Sequence, residues 1–248
     1  MASPTVSVAQ WFMSNSSNTA PYAALDARRV ISAQLRERAR ELPPAPFDWA
    51  SFDPGAALGA ESGSPDLRLM AMQRQLCTSP ARSAELRGLW NESVVTAAFA
   101  WRLAPDFGGE PHTAATAGLL HRLGDILTIR AIAAIEHAAQ VRLDAVGKAD
   151  LCAELGVGLL DRTLRAWGVP VRAAATAAEW RRLRDFPDAA ADATAVYLGR
   201  LFALELISPQ FCAPGAVDAA AGEAGLPAGR LSELRSDATI ARLLVSLQ

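Results

Sequence analysis

Apolar residues recur at intervals of three or four along most of the chain after residue 65. The pattern is clearest over residues 81–104, where Leu86, Trp90 and Val94 follow one another at a spacing of four. Residues spaced in this way lie on one face of an α-helix, and polar residues occupy the other face. The segment is therefore predicted to be an amphipathic helix that packs one face against a core.

The same periodicity predicts helices in most of the remaining sequence. They cover residues 26–42, 66–77, 112–122, 125–140, 149–167, 189–206, 217–224 and 240–247. Proline and glycine mark the boundaries, as at Pro43–Pro46 and Gly168–Pro170, and Gly124 is interpreted as the break between two helices. No segment alternates β-branched and polar residues over the length of a strand, so the predicted fold class is all-α.

A loop rich in Pro, Gly, Ser and Asp is predicted between residues 43 and 65. It contains three aromatic residues, Phe47, Trp49 and Phe52, which is unusual for a free linker. We expect these side chains to hold the loop against the core.

Composition excludes several classes of protein. Of the 248 residues, 51% are hydrophobic and 20% are charged, which does not fit a disordered chain. A formal net charge of −2 provides no general attraction to nucleic acid or to an anionic membrane. Cys77, Cys152 and Cys212 have neither zinc-site nor disulfide-framework spacing. Since neither a signal peptide nor a membrane span is evident, we expect a cytoplasmic protein.

Three blocks between residues 89 and 170 resemble the HDOD family, an output module related to HD hydrolases. The first is Leu-Trp-Asn-Glu-Ser at residues 89–93. The second is Ala-Gly-Leu-Leu-His-Arg-Leu-Gly-Asp at residues 117–125, which is similar to the family's "AGLLHDIGK" signature. The third combines Ala-Glu-Leu-Gly at residues 153–156 with Leu159-Leu160 and Trp-Gly-Val-Pro at residues 167–170. The resemblance implies an HD-like helical bundle of HDOD type.

The resemblance also shows where the chain departs from an HD metal site. Such sites use an early His, a His-Asp pair and a later Asp to hold a cation that activates water. Here Glu92 stands at the early His, the pair is His121-Arg122, and residues 196–200 contain no Asp. Cys152 occupies a position where many family members have His. The expectation is that the domain is catalytically inactive and holds neither a metal nor another cofactor.

The remnant positions allow two interpretations. His121 and Asp125, four residues apart, could be what is left of a ligand set, or His121 could be a buried histidine hydrogen-bonded to its neighbours. Glu92 and Asp125 could form a carboxylate pair for acid–base chemistry, or each could form a salt bridge with Arg122 or Arg130. Burial and salt bridges are the favoured interpretation.

The densest basic cluster is a candidate interaction surface formed by Trp180, Arg181, Arg182 and Arg184. Exposed tryptophan beside arginine is typical of binding hot spots. A solvated turn, or a Trp180 that packs inward, is the alternative. The arginines of residues 26–42 are interrupted by acids, so a solvated helix face is favoured there over a nucleic-acid contact.

These observations divide the chain into an N-terminal extension with an Arg-rich helix, residues 1–41, and an HDOD-like domain, residues 42–248, best matched over 85–206. The HDOD resemblance implies a bacterial, cytoplasmic, non-catalytic regulatory protein that acts by contact with another signalling protein, without nucleic acid or membrane. The alternative is a residual HD-type metal-dependent phosphohydrolase, or a nucleotide-binding protein that reuses the groove. The oligomeric state stays open.

Overall fold

A computed structural model describes the chain except for a few segments, of which residues 1–19 are the longest. The described residues are 20–38, 43–59, 66–79, 82–139, 142–180 and 190–247. All regular elements in these ranges are helical, and no strand occurs among them. The predicted all-α fold class is confirmed.

The described elements follow one another as α-helices joined by short turns. In chain order they are α1 (Ala20–Arg38), α2 (Pro54–Ala57), α3 (Leu67–Cys77), α4 (Ser83–Leu103), α5 (Pro111–Leu120), α6 (Leu123–Ala139), α7 (Ala145–Ala166), α8 (Val171–Glu179), α9 (Ala191–Ile207), α10 (Ala216–Glu223), α11 (Ala228–Arg235) and α12 (Ala238–Ser246). Short 3-10 turns cover Trp49–Ser51, Ala104–Phe107 and Pro209–Phe211.

Most predicted helices are present, but three details differ. Gly124 is not a break, because it lies in the first turn of α6. The sequence pattern did not predict α8 and α11, which are only 9 and 8 residues long. The N-terminal helix begins at Ala20 rather than at Asp26, and the predicted stretch 39–42 lies outside the described residues.

Helix α4 runs through the centre of the bundle, with α5 and α9 packed against it. Trp90 of α4, Leu120 of α5, Leu160 of α7 and Trp167 just after α7 belong to one continuous hydrophobic core. Residues from three helices thus converge in this core. Phe99 of α4 and Phe202 of α9 also stack in this core, with ring centroids 4.7 Å apart.

Helix α9 approaches α4 more closely than an ordinary side chain would permit. A Cβ added at Gly199 would lie 2.8 Å from the carbonyl oxygen of Thr96 and 3.1 Å from the backbone nitrogen of Ala100. Glycine at this position lets the two backbones touch. The contact brings the next residue, Arg200, beside α4.

The aromatic residues of the loop before α2 pack onto the core as predicted. The ring of Phe47 lies 4.5 Å from that of Trp49 and 4.6 Å from that of Phe52. Trp49 is buried and stacks on Trp167 at 6.1 Å. The indole of Trp167 also donates a hydrogen bond of 2.9 Å to the carbonyl of Pro43. The loop is held by these contacts at the end of α7.

Helix α1 is docked onto α6 and α7. Its buried Ile31 and Leu35 join a second apolar cluster with Ile132 and Ile135 of α6. Two arginines of its polar face pair with acids of α7, namely Arg28 with Asp150 at 2.9 Å and Arg36 with Glu154 at 2.6 Å.

The described residues of this helix therefore pack on the domain. None of the described helices combines the length and the apolar character needed to cross a bilayer.

Candidate functional site

A groove with a volume of about 640 Å³ opens between α4, α6, α7 and the end of α9. Its wall is largely apolar and includes Leu89, Ile129, Ala149, Leu204 and Phe211. Ionisable side chains lie at its floor and rim, and these are Glu85, Glu92, Arg122, Asp125, Lys148, Cys152 and Arg200. Glu92, Arg122, Asp125 and Cys152 are remnant positions proposed from sequence, so the fold gathers them in one place.

Glu92, on α4, is the centre of the ion pairs on the floor. Its Oε1 accepts a hydrogen bond of 3.0 Å from Nε of Arg200 and lies 3.8 Å from Nε of Arg122. Burial alone would raise the pKa of Glu92, but the positive charges of Arg122 and Arg200 outweigh burial and lower the pKa to about 2. Glu92 is therefore ionised at neutral pH and serves as the counter-ion of two guanidinium groups.

Asp125 forms the second carboxylate of the floor. Its Oδ2 lies 3.0 Å from NH1 of Arg122, three residues earlier in the chain. Its position depends on the close contact of α6 with α7, since a Cβ at Gly124 would lie 2.8 Å from the carbonyl carbon of Gly156 and closer still to its oxygen. The salt-bridge interpretation of Glu92 and Asp125 is confirmed, with Arg200 as an additional partner, whereas Arg130 hydrogen-bonds the carbonyl of Gln75 instead.

His121 lies fully buried beneath this cluster, between α5 and α6. Its Nδ1 is 2.6 Å from the carbonyl oxygen of Gly118. Because a carbonyl can only accept, Nδ1 carries the proton of this bond. Nε2 points towards Glu92 at 3.7 Å and has no hydrogen-bond partner within the described parts of the chain.

Burial lowers the pKa of His121, and so does the neighbouring Arg122, although Glu92 acts in the opposite direction. The imidazole is therefore neutral at neutral pH. The interpretation of His121 as a buried, backbone-bonded histidine is confirmed.

Trp180 was considered as an exposed hot spot, and for this residue the hypothesis is wrong. Its side chain is buried, only 7% exposed. The indole meets the ring of His121 edge-on at 4.9 Å, and the guanidinium of Arg200 lies 4.9 Å from the centre of the indole ring. Trp180 thus packs inward under the floor of the groove. Its proposed companions Arg181, Arg182 and Arg184 lie outside the described residues.

The rim of the groove is formed by a separate ion pair and a thiol. Lys148 of α7 lies 3.3 Å from Oε1 of Glu85, and Arg82 contacts the other oxygen of Glu85 at 2.9 Å. Cys152, one turn further along α7, is partly exposed and lines the groove.

The profile of the HDOD domain family matches residues 57–158. Over these residues the chain is similar to HDOD domains. The resemblance identified from sequence is thereby confirmed, although the match starts earlier and ends earlier than the range 85–206 chosen from motifs. The domain limits 42–248 remain a prediction.

A solved structure supports the same fold for nearly the whole chain. It belongs to a candidate metal-dependent phosphohydrolase from Shewanella amazonensis SB2B and superposes with a TM-score of 0.55 at 14% identity, covering 93% of this chain and 92% of that one. At this identity the likeness supports an HD-like fold and nothing about chemistry. No curated protein matches the chain.

The floor of the groove does not suit the divalent metal found in HD hydrolases. Such ions need carboxylate, imidazole or thiolate ligands converging on one point. Here two guanidinium groups, which cannot lose their charge, contact the carboxylates that would have to serve. Within the described residues no three His, Cys, Asp or Glu side chains are arranged to hold an ion.

Sequence reasoning missed the contribution of Arg200. Residues 196–200 lack the aspartate of an HD site, but Arg200 in this region contacts Glu92, which is 108 residues away. The sequence does contain a signal for this contact, because Arg200 lies near the expected position of a metal-ligand aspartate, as Arg122 does. The contact with Trp180 could not be found in this way, since no local pattern relates the two residues.

Proposed function

We propose that this HDOD domain is a non-catalytic regulatory module that acts by contact with another signalling protein. The observation that carries the proposal is the ion-pair cluster of Glu92, Arg122, Asp125 and Arg200 at the floor of the groove. It occupies the region where a hydrolytic relative would need its cation.

The chemistry of the cluster supports this proposal. Hydrolysis at an HD site needs a metal that lowers the pKa of bound water. A guanidinium ion has no coordination site to offer, so it can stabilise an anion without activating water. His121, which could have served as a ligand or base, is buried against Trp180 and does not line the groove.

The alternative function is a residual metal-dependent phosphohydrolase. It requires Arg122 and Arg200 to swing away from Glu92 and Asp125 so that a metal could enter. Leaving two buried carboxylates without partners is unfavourable, and removing one partner of a buried ion pair costs about 3–5 kcal/mol. The non-catalytic function is the one that agrees with the paired side chains.

The first prediction concerns metal content and hydrolysis. The full chain, produced with Mn²⁺, Fe²⁺ and Zn²⁺ in the medium, is expected to contain far less than one metal ion per molecule at the groove. It should also fail to hydrolyse bis(p-nitrophenyl) phosphate above the rate of the buffer. Elemental analysis by mass spectrometry and an absorbance assay measure the two quantities.

Two histidine variants show whether any bound metal is held at the groove or elsewhere. His121→Ala removes the buried imidazole next to Glu92, whereas His112→Ala removes an exposed one. About one or two ions per chain, lost in His121→Ala but kept in His112→Ala, would contradict the proposal and favour the hydrolase. A metal that is lost in neither variant, or only in His112→Ala, is bound elsewhere and leaves the proposal standing.

A further inference from the structure

The groove has the dimensions and the lining of a small-molecule site. Ligand pockets typically enclose about 300–1,000 Å³, with mostly apolar walls and a few polar groups that fix orientation. This groove, at about 640 Å³, falls inside that range, and its wall carries Leu89, Ile129 and Phe211. Phe211 lines the groove with 74% of its surface exposed, so its ring is available to an apolar ligand.

The floor presents its cationic side to the groove. The side chains of Arg122 and Arg200 are 21% and 22% exposed, whereas those of Asp125 and Glu92 are only 6% and 11% exposed. In each pair the arginine side chain is the more exposed partner, and all four residues line the groove. The arginine side chains are therefore the more accessible charged groups of the floor.

Both arginines are fixed before any ligand arrives. Arg200 is hydrogen-bonded to Glu92 and lies over the indole of Trp180, and Arg122 is paired with Asp125. A guanidinium has five N–H donors, and a carboxylate takes two of them even in its bidentate pairing. A planar donor group held in place loses little conformational entropy when it binds an oxyanion.

The charges at the rim do not oppose the entry of an anion. Glu85 is the acidic group there, and it is paired with both Lys148 and Arg82. At the floor, the more exposed charged side chains are those of the two arginines.

We propose that the groove binds a small organic oxyanion, with a carboxylate or phosphate head on Arg122 and Arg200 and an apolar body along Leu89, Ile129 and Phe211. The inference goes beyond the proposed function, because it assigns a ligand to the groove whatever protein the domain contacts. Carboxylate and phosphate share the chemistry that these arginines recognise, and the experiment below separates them.

Calorimetric titration of the full chain, dialysed against EDTA, tests the proposal with four compounds. Phenyl phosphate and phenylacetate carry a head and a ring, inorganic phosphate carries the head alone, and benzyl alcohol carries the ring alone. At least one of the two ring-bearing anions is expected to bind saturably and about tenfold more tightly than either partial compound. The stronger of the two identifies the head group.

The variants place the binding in the groove. Arg122→Gln should weaken the binding at least about tenfold, although it removes the partner of Asp125 and could fail to fold. Ala149→Phe, at an exposed position of α7 that lines the groove, fills the space without touching the ion pairs. Its control is Ala166→Phe, at the exposed end of the same helix outside the groove.

Loss of binding in Ala149→Phe with unchanged binding in Ala166→Phe supports the proposal. The absence of saturable binding by either anion up to about 10 mM overturns it. Binding that survives Ala149→Phe also overturns it, because the ligand then sits elsewhere. Since the protein is free of metal in this experiment, its outcome is independent of the metal analysis that tests the proposed function.

Discussion

At the scale of single residues, the ionisation of Glu92 depends on the positive groups around it. Its pKa is lowered to about 2 from an ordinary value of 4.5, so in the range between these values the unfolded chain binds more protons than the folded one. A group of this kind adds stability that is fully present above the unfolded pKa. The added stability disappears as the pH falls through the folded pKa.

The resulting prediction is a loss of stability in acid that depends on Glu92. The free energy of unfolding is expected to fall by about 3 kcal/mol between pH about 4.5 and pH about 2 through this group. Glu92→Gln should lower the stability at neutral pH by a similar amount and flatten that part of the profile. Chemical denaturation at a series of pH values measures both effects.

Glu233→Gln is the control for this prediction. Glu233 also pairs with an arginine, Arg230, but its side chain is 68% exposed, and exposed pairs contribute little. An acid profile of Glu92→Gln that parallels the wild type would contradict the role assigned to Glu92.

His121 acts in the same direction at higher pH, because its lowered pKa makes the folded state lose stability as the pH drops below its ordinary value of 6.5.

For single residues, the sequence predicted which positions belong to the groove region more successfully than how their side chains are arranged. The resemblance pointed to Glu92, His121 and Arg122, because family motifs fix positions along the chain. It could not show that Trp180 is buried, since that depends on Arg200 and His121, which come from other helices. A tryptophan flanked by arginines has the same local composition whether it faces solvent or the core.

At the scale of helices, glycine allows α6 and α7 to approach each other at the site. From the sequence, Gly124 was predicted to separate two helices, because glycine is a poor helix former. In the structure it is part of α6 and faces the backbone of Gly156. A glycine can end a helix or let a second helix pack closely against it. Only the position of the second helix shows which of these roles applies.

Two glycine substitutions should therefore have opposite effects on the stability of the protein. Gly124→Ala is expected to destabilise the protein by about 1–3 kcal/mol, because its methyl group meets the backbone of α7. Gly158→Ala, on the exposed face of α7 with no atom within 4 Å of its added Cβ, should stabilise by up to about 1 kcal/mol. Thermal and chemical denaturation of the two variants give the comparison. A neutral Gly124→Ala would contradict the close contact of the two helices.

Helix prediction succeeded for long periodic stretches and gave mixed results for short helices, since α10 and α12 were predicted whereas α8 and α11 were not. Helix α4 spans 21 residues, and its apolar positions recur over several turns. Helices α8 and α11 have only two or three turns, and helices of this length depend on tertiary packing for most of their stability.

At the scale of the whole molecule, one core joins α4, α5, α7 and α9, and Trp90 lies within it at 2% exposure. The convergence of these helices was predictable from their apolar faces. Their order around α4 was not, because the faces alone do not specify which pairs touch.

The corresponding prediction is a large effect of Trp90→Ala on global stability. Truncating a buried tryptophan leaves a cavity and is expected to lower the free energy of unfolding by about 3–5 kcal/mol. Val171→Ala, at a position 86% exposed, should change it very little. An unchanged melting temperature in Trp90→Ala would mean that α4 is not the centre of the bundle.

The neutral charge balance at the floor of the groove has a consequence for how this site can change by mutation. Two arginines and two carboxylates cancel there, so replacing one arginine by an acid leaves three negative groups around a single cation. Each such step is unfavourable by itself, whereas changing an arginine together with the carboxylate that it pairs with keeps the charges balanced. The effects of substitutions at Arg122 and Asp125, and at Arg200 and Glu92, are therefore expected to be non-additive, and single changes towards a metal-holding floor pass through less stable proteins.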